Sequence, residues 1–178
     1  FGMYPNLIAL RAGQNVTGRK LAQLHPQNQL ALEEVTLAEA FKAAGYQTFY
    51  TGKWHLGDKG FLPTDQGFEE YVGDGEANQD EAGGQAARLK RRLESTERFT
   101  RASLDFLQRR DRAKPFLLFL AYHDVHTPIQ PMPGLVEHYE EKVRQFSGET
   151  PSQTEHEGQT RMRQDNPAYA SMTVAVDR

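Results

Sequence analysis

The sequence contains no cysteine, so the chain can form neither a disulfide framework nor a thiolate metal site. This absence does not distinguish an oxidising compartment from a reducing one. Long apolar runs are also missing. The longest, Phe116 to Tyr122, has the length of a buried strand, whereas a membrane helix needs about 20 apolar residues. We therefore expect no membrane span.

The chain also lacks an excess of basic charge. Its 21 Lys and Arg residues are outnumbered by 24 Asp and Glu residues and are interspersed with them, so nucleic acid is not an expected partner. The length of 178 residues and the 38% hydrophobic content suit one compact domain. The chain opens on Phe1 and closes on Arg178 within a predicted helix. We expect it to be an internal fragment, truncated at both ends.

Two helix-strand units follow from the local patterns. Thr36 and Glu39 have the spacing of a capping box, which predicts a helix that ends near Gly45. A strand rich in aromatic and β-branched residues is predicted from Tyr46 to Thr51. A second helix from Arg88 to Arg110 precedes the strand Phe116 to Tyr122, which is apolar throughout, as expected of a strand covered on both faces. This repeated alternation predicts an α/β fold.

The remaining segments are predicted to form helices, a turn and surface loops. Helices are predicted from Leu135 to Val143 and from Pro167 onward, while Asp65 to Phe68 is predicted to form a structural turn. Asp74 to Gln85 and Ser147 to Asn166 are polar stretches that predict surface loops.

Polar residues gather where the two predicted strands end. Lys53 and His55 follow the first strand, and His123 and His126 follow the second. Ligands of α/β sheets bind beyond the carboxyl ends of the strands, so these side chains are predicted to share one crevice. Lysine supplies a compact positive charge and histidine donates a hydrogen bond or a proton near neutral pH. The set suits a tetrahedral oxyanion such as a sulfate or phosphate ester.

Simpler interpretations remain open at this point. Lys53 and His126 are each compatible with an ordinary solvated side chain. His123 and His126 are also compatible with a zinc pair, although the nearby sequence offers no third ligand. Trp54 is equally compatible with packing and with substrate binding.

The residues around Lys53 resemble a known family. Thr51 to Gly57 reads TGKWHLG and is similar to the second signature of the type I sulfatases, which follows a helix similar to Glu34 to Tyr46. Further stretches resemble the family in the same order: Pro63 to Phe68, Lys114 to Gln130, and Asn166 to Asp177. The resemblance implies an alkaline-phosphatase-like α/β fold, a parallel-sheet sandwich that is incomplete at both ends here. It also implies that residues 1–178 are part of the N-terminal catalytic domain.

The family's cofactors are expected outside this sequence. Sulfatases hydrolyse sulfate esters with a formylglycine made within a Cys/Ser-x-Pro-x-Arg motif, which is absent here. Gly2 to Pro5 resembles the stretch that follows that motif. The ligands of the family's Ca²⁺ are likewise expected before and after this chain, so the resemblance assigns no metal ligand within it.

Three catalytic roles are implied by the resemblance. Lys53 would contact the sulfate oxygens and offset the negative charge that builds in the transition state. His55 would hydrogen-bond the formylglycine hydrate and help remove its proton when the covalent sulfate intermediate collapses. His126 would bind sulfate and protonate the leaving alcohol as a general acid. Trp54, together with Lys53 and His126, is predicted to contact the substrate.

The implied function is hydrolysis of a sulfate ester, with a sulfated carbohydrate as the expected substrate and a periplasmic or secreted location. One alternative is a phosphodiesterase or phosphonate hydrolase of the same superfamily, in which Lys53 and His126 would serve a phosphoryl oxyanion. The other is a non-catalytic relative that binds an anion or glycan.

Overall fold

The computed structural model describes residues 29–73, 85–146, 151–156 and 158–177. Helices and strands alternate through most of this part of the chain. In chain order, the elements are α1 (Leu37–Ala43), β1 (Gln47–Gly52), a 3₁₀ turn (Pro63–Gln66), β2 (Glu70–Val72), α2 (Gln85–Arg109), β3 (Phe116–Ala121), α3 (Val136–Arg144), β4 (Ser152–Glu155), β5 (Gly158–Arg161) and α4 (Pro167–Asp177). The predicted helices and strands are confirmed, with shifts of a few residues at their ends.

Strand β1 lies at the centre of a parallel sheet. Within the described residues, the sheet has the order β2-β1-β3. The N–H groups of Gln47 and Lys53 donate to the carbonyls of Pro115 (3.0 Å) and Ala121 (2.8 Å), so β1 and β3 advance in the same direction. All residues of β1 after Gln47 are buried. The predicted α/β class is thereby confirmed, and both strands end at the same edge of the sheet.

The capping box that predicts α1 is present. The Thr36 hydroxyl accepts from the N–H of Glu39 (3.1 Å), while the Glu39 carboxylate accepts from the N–H of Thr36 (2.8 Å). The same hydroxyl donates to the carbonyl of Gln66 (2.7 Å). One side chain thus both starts the helix and holds the turn that follows β1.

Replacing Thr36 by alanine should lower the free energy of unfolding by about 1 to 2 kcal/mol, because a helix cap and a bond to a second segment are lost together. Urea denaturation of the purified protein measures this. Thr36→Ser keeps the hydroxyl and should recover most of the loss. Equal stability of the alanine and serine variants would contradict the capping role.

The predicted turn at Asp65 to Phe68 is confirmed as structural. The Asp65 carboxylate accepts from the N–H of Leu62 (2.9 Å), and buried Gln66 donates to the carbonyl of Leu30 (3.0 Å). Gly67 ends the turn at φ 97, where a Cβ would lie 2.6 Å from the backbone nitrogen of Glu39. This turn therefore packs directly against the start of α1.

The expectation that β3 is covered on both faces is wrong for the described structure. Its residues are half-buried or exposed, and Phe116 and Phe119, which point to opposite faces, are both exposed. β3 is an edge strand among the described residues, and the guanidinium of Arg110 lies over the Phe116 ring, 4.7 Å from its centroid. A uniformly apolar segment predicts a strand well, but its composition does not show which segments cover it.

The expectation that Ser147 to Asn166 forms only a surface loop needs correction. β4 and β5 pair antiparallel, with Ser152 opposite Arg161, and both are largely exposed. Cross-strand bonds hold the pair, including Gln159 to Thr154 at 2.7 Å. The surface position is confirmed, but strands polar on both faces lack the apolar alternation that sequence reasoning relies on. Of the other predicted loop, residues 74–84 lie outside the described residues.

Charged side chains close the base of this hairpin. The guanidinium groups of Arg161 and Arg163 both contact the carboxylate of Asp165. The hydrogen bond from Arg161, with a smaller contribution from Arg163, holds the pKa of the Asp165 carboxyl below its ordinary value.

The chain forms two compact units. One contains the described parts of Phe1–Tyr50 together with Trp54–Tyr71 and Arg110–Leu118. The other contains Thr51–Lys53 and the described parts of Val72–Arg109 and Phe119–Arg178. The first buries Phe49, Tyr50 and Phe68, and the second buries Phe99, Phe106 and Met172. No helix in the described part of the chain has the length and apolar character needed to cross a bilayer.

Candidate active site

The end of β1 is held against β3 by an unusually close backbone approach. Gly52 has φ 113, and a Cβ there would lie 1.9 Å from the carbonyl oxygen of Ala121. That carbonyl accepts the N–H of Lys53 (2.8 Å). Only glycine fits this position, and the backbone of half-buried Lys53 is fixed at the carboxyl edge of the sheet.

Trp54 is held by contacts within its own unit. Its Nε1–H donates to the carbonyl of Phe61 (2.8 Å), and its ring packs edge-on against Tyr50 with centroids 5.3 Å apart. These contacts favour the packing interpretation, because the one polar group of the indole is already satisfied. Substrate binding by Trp54 remains a prediction.

The segment after β3 begins with two residues that pack on α2. Tyr122 and Thr100 share a hydrogen bond of 2.5 Å between their hydroxyls. The His123 ring stacks on the buried Phe99 ring at a centroid distance of 6.2 Å. His123 therefore has a packing partner at the core. No group of three or more His, Asp or Glu side chains suited to a metal ion is found among the described residues.

His126 is exposed, and one of its ring nitrogens is oriented by the backbone. Its Nδ1 lies 2.7 Å from the carbonyl oxygen of Thr127. A carbonyl only accepts, so Nδ1 carries the proton of this bond. Nε2 is then the nitrogen through which this ring would act as a general acid.

Arg92 on α2 contacts the loop that carries His126, and sequence reasoning missed it. Its Nη1 donates to the carbonyl of Pro128 (3.1 Å) and its Nη2 to that of Thr127 (3.2 Å). Nη1 also lies 3.8 Å from Oδ1 of Asp124. In the sequence, Arg92 is one of several cations on a charged helix, so no local signal singles it out.

The far end of the loop is anchored to α4. The N–H of Gln130 points to Sδ of Met172 (3.3 Å), and the N–H of Met132 donates to Oγ of Ser171 (3.0 Å). The His126 loop is therefore held by α2 on one side and α4 on the other.

The predicted site residues are distributed over both compact units. Lys53 and His126 belong to the same unit, one following the end of β1 and the other the end of β3. Exposed His55 belongs to the other unit, as does Trp54. The catalytic roles of Lys53, His55 and His126 remain predictions.

Comparison with known families shows which family the chain belongs to. The family described as Sulfatase matches residues 9–178. The chain belongs to the sulfatase family. The family generally implies a formylglycine and a metal cofactor, but the described residues supply no metal site, so no metal ligand is assigned.

Curated relatives of this chain include arylsulfatases from animals and from a bacterium. Mouse arylsulfatase J is 32% identical over 132 residues, which is 63% of this chain and 22% of the mouse protein. Human arylsulfatase A is 53% identical over 47 residues, covering 25% of this chain and 9% of the human protein. The arylsulfatase of Klebsiella aerogenes is 30% identical over 114 residues, covering 53% of this chain and 25% of that protein. The chain thus spans about a quarter or less of these relatives.

Solved structures support the fold. The crystal structure of Ps i-CgsB in complex with k-i-k-neocarrahexaose aligns with a TM-score of 0.54 at 20% identity, over 85% of this chain and 36% of that one. A second structure of Ps i-CgsB aligns with a TM-score of 0.53 at the same identity and coverage. The predicted alkaline-phosphatase-like α/β fold is confirmed.

Proposed function

We propose that the full-length protein is a sulfuric ester hydrolase that acts on a sulfated carbohydrate. Residues 1–178 then form part of its N-terminal catalytic domain. One observation carries the proposal: Lys53 and the loop of His126 start at the same edge of a parallel sheet, at paired ends of β1 and β3, in a chain of the sulfatase family. This edge is where α/β sheets bind their ligands.

The proposed roles follow from the chemistry of the side chains. Lys53 binds sulfate oxygens and stabilises the charge that develops on them in the transition state. His126 binds sulfate and donates a proton from Nε2 to the leaving oxygen, since Nδ1 is engaged with Thr127. His55 would hydrogen-bond the formylglycine hydrate and help remove its proton after the alcohol has left. Trp54 contacts the substrate through its indole ring, while its Nε1–H stays bonded to the carbonyl of Phe61.

The proposal extends to cofactor, location and substrate class. A formylglycine in another part of the full-length protein would provide the attacking oxygen, and a Ca²⁺ held by ligands outside residues 1–178 would neutralise sulfate charge. The proposed location of the full-length protein is periplasmic or secreted. The carbohydrate substrate is supported by the neocarrahexaose named with the Ps i-CgsB structure.

Turnover by the full-length protein tests the proposal. It should release sulfate from 4-nitrophenyl sulfate, and Lys53→Ala should lower kcat/KM by about 100-fold, the loss expected when one group that stabilises the transition-state anion is removed. Lys42→Ala removes an exposed lysine of α1 and should leave the rate unchanged.

Other outcomes identify the alternatives. Faster hydrolysis of bis(4-nitrophenyl) phosphate than of the sulfate would assign the protein to the phosphodiesterases. Glycan binding without turnover of either ester would assign it to the non-catalytic relatives. Equal kcat/KM values for Lys53→Ala and Lys42→Ala would refute the role of Lys53.

A further inference from the structure

We infer that Arg92 is a positioning residue for His126. The inference rests on the proposed function, because it concerns the general acid assigned there. Arg92 lies on α2, and His126 lies 34 positions further along the chain, in the loop after β3. The role requires no contact between Arg92 and the substrate.

The guanidinium of Arg92 connects three parts of one loop. Its two terminal nitrogens donate to the carbonyls of Thr127 and Pro128, at 3.2 and 3.1 Å. Nη1 also pairs with the Asp124 carboxylate at 3.8 Å. These groups bracket His126 on both sides, so the guanidinium restrains the backbone that carries the imidazole.

Thr127 joins Arg92 to the imidazole through one shared atom. Its carbonyl oxygen accepts from Nη2 of Arg92 and from Nδ1 of His126, which is 2.7 Å away. A carbonyl oxygen has two lone pairs, so both bonds are compatible. Arg92 holds the acceptor in place, and the acceptor holds the ring and its Nδ1–H tautomer.

The ion pair between Arg92 and Asp124 is largely buried, so solvent screens it less than an ordinary surface ion pair. The side chain of Arg92 is 18% exposed and that of Asp124 is 6% exposed. Oδ1 of Asp124 has no hydrogen-bond partner among the described residues, so Arg92 supplies the nearby positive charge that this buried carboxylate needs. Loss of Arg92 would leave that charge unbalanced and remove one hydrogen bond from each of the Thr127 and Pro128 carbonyls.

Arginine is better suited to this position than lysine. Its planar guanidinium presents several N–H groups in a fixed fork, which lets one side chain bond two adjacent carbonyls. A lysine ammonium retains the charge near Asp124 but not the fork. The inference therefore predicts that Arg92→Lys recovers only part of the function lost in Arg92→Met.

The choice of leaving group separates positioning of the acid from general support of the fold. An alkyl sulfate, such as a sugar sulfate, needs protonation of its leaving oxygen, whereas 4-nitrophenolate leaves without it. In the full-length protein, Arg92→Met should lower kcat for a sugar sulfate by about tenfold with little change in KM, the loss typical of a residue that orients a functional group. The rate with 4-nitrophenyl sulfate should change by less than about twofold.

Three variants complete the experiment. Arg101→Met replaces an exposed arginine of the same helix and should match the wild type with both substrates. Arg92→Lys should lie between Arg92→Met and the wild type, and it provides the measurement if the methionine variant does not fold. His126→Ala should show the same substrate dependence as Arg92→Met, with a larger loss.

Each remaining result has a distinct meaning. Equal losses of kcat with both substrates in the Arg92 variants would overturn the inference and assign Arg92 a purely structural role. Wild-type rates in Arg92→Lys and Arg92→Met, beside an impaired His126→Ala, would also overturn it while leaving the proposed function intact. Wild-type rates in His126→Ala would instead refute the general-acid role, and the inference with it.

Discussion

Replacing His126 by alanine in the full-length protein should lower kcat for a sugar sulfate by about 1,000-fold, within the range reported for general acid catalysis. The reason is that a hydrogen bond to one ring nitrogen of His126 determines which nitrogen can deliver a proton. Nδ1 of His126 donates to the carbonyl of Thr127, which leaves Nε2 to deliver the proton. Without that proton the alcohol must leave as an alkoxide, which is a poor leaving group.

The comparison with 4-nitrophenyl sulfate isolates this step. The same substitution should cost much less with that substrate, because its leaving group is stable as an anion. His138→Ala removes an exposed histidine of α3 and is the matched control. A loss of equal size with both substrates would exclude proton donation by His126 and leave it a sulfate-binding role alone.

The second large effect is structural and concerns Gly52. Gly52→Ala should lower the free energy of unfolding by more than about 3 kcal/mol, because backbone strain adds to a clash that no side chain can relieve. The new Cβ would lie 1.9 Å from the carbonyl oxygen of Ala121 and 2.6 Å from its carbonyl carbon. To make room, β1 and β3 must separate at the point where Lys53 donates to Ala121.

A second glycine serves as a control that has the backbone strain of a positive φ without a steric clash. Gly134 also has a positive φ, of 79, but a Cβ there would meet nothing within 4 Å. Gly134→Ala should therefore cost only about 1 kcal/mol. Guanidinium denaturation of both variants measures the difference. If Gly52→Ala were no less stable than Gly134→Ala, the close approach of the two strands would be refuted.

Local sequence signals predicted the elements that position the site. The capping box of Thr36 and Glu39 set the start of α1, and the apolar runs marked β1 and β3. These signals work because the interacting groups lie within a few residues of one another, so their spacing alone reports the structure.

The same reasoning failed where the decisive neighbour was distant or where the usual pattern was missing. The apolar strand β3 is an edge strand among the described residues, and its composition was misread as cover on both faces. β4 and β5 are strands made of polar residues, so they lacked the alternating pattern that predicts a strand. The first error concerns what surrounds a segment, and the second concerns segments whose own residues carry no strand signal.

In the candidate site, too, the sequence identified some features and only the structure revealed others. Lys53, His55 and His126 were identified by the type and position of residues after two strands and by their resemblance to the sulfatases. The sequence by itself determined the α/β class, these candidate residues and the family. The tertiary structure decided which groups hold them: the Ala121 carbonyl on Lys53, and Arg92 on the loop of His126. Arg92 and Pro128 lie 36 positions apart, and their contact follows from the packing of a helix against a loop, which no local pattern encodes.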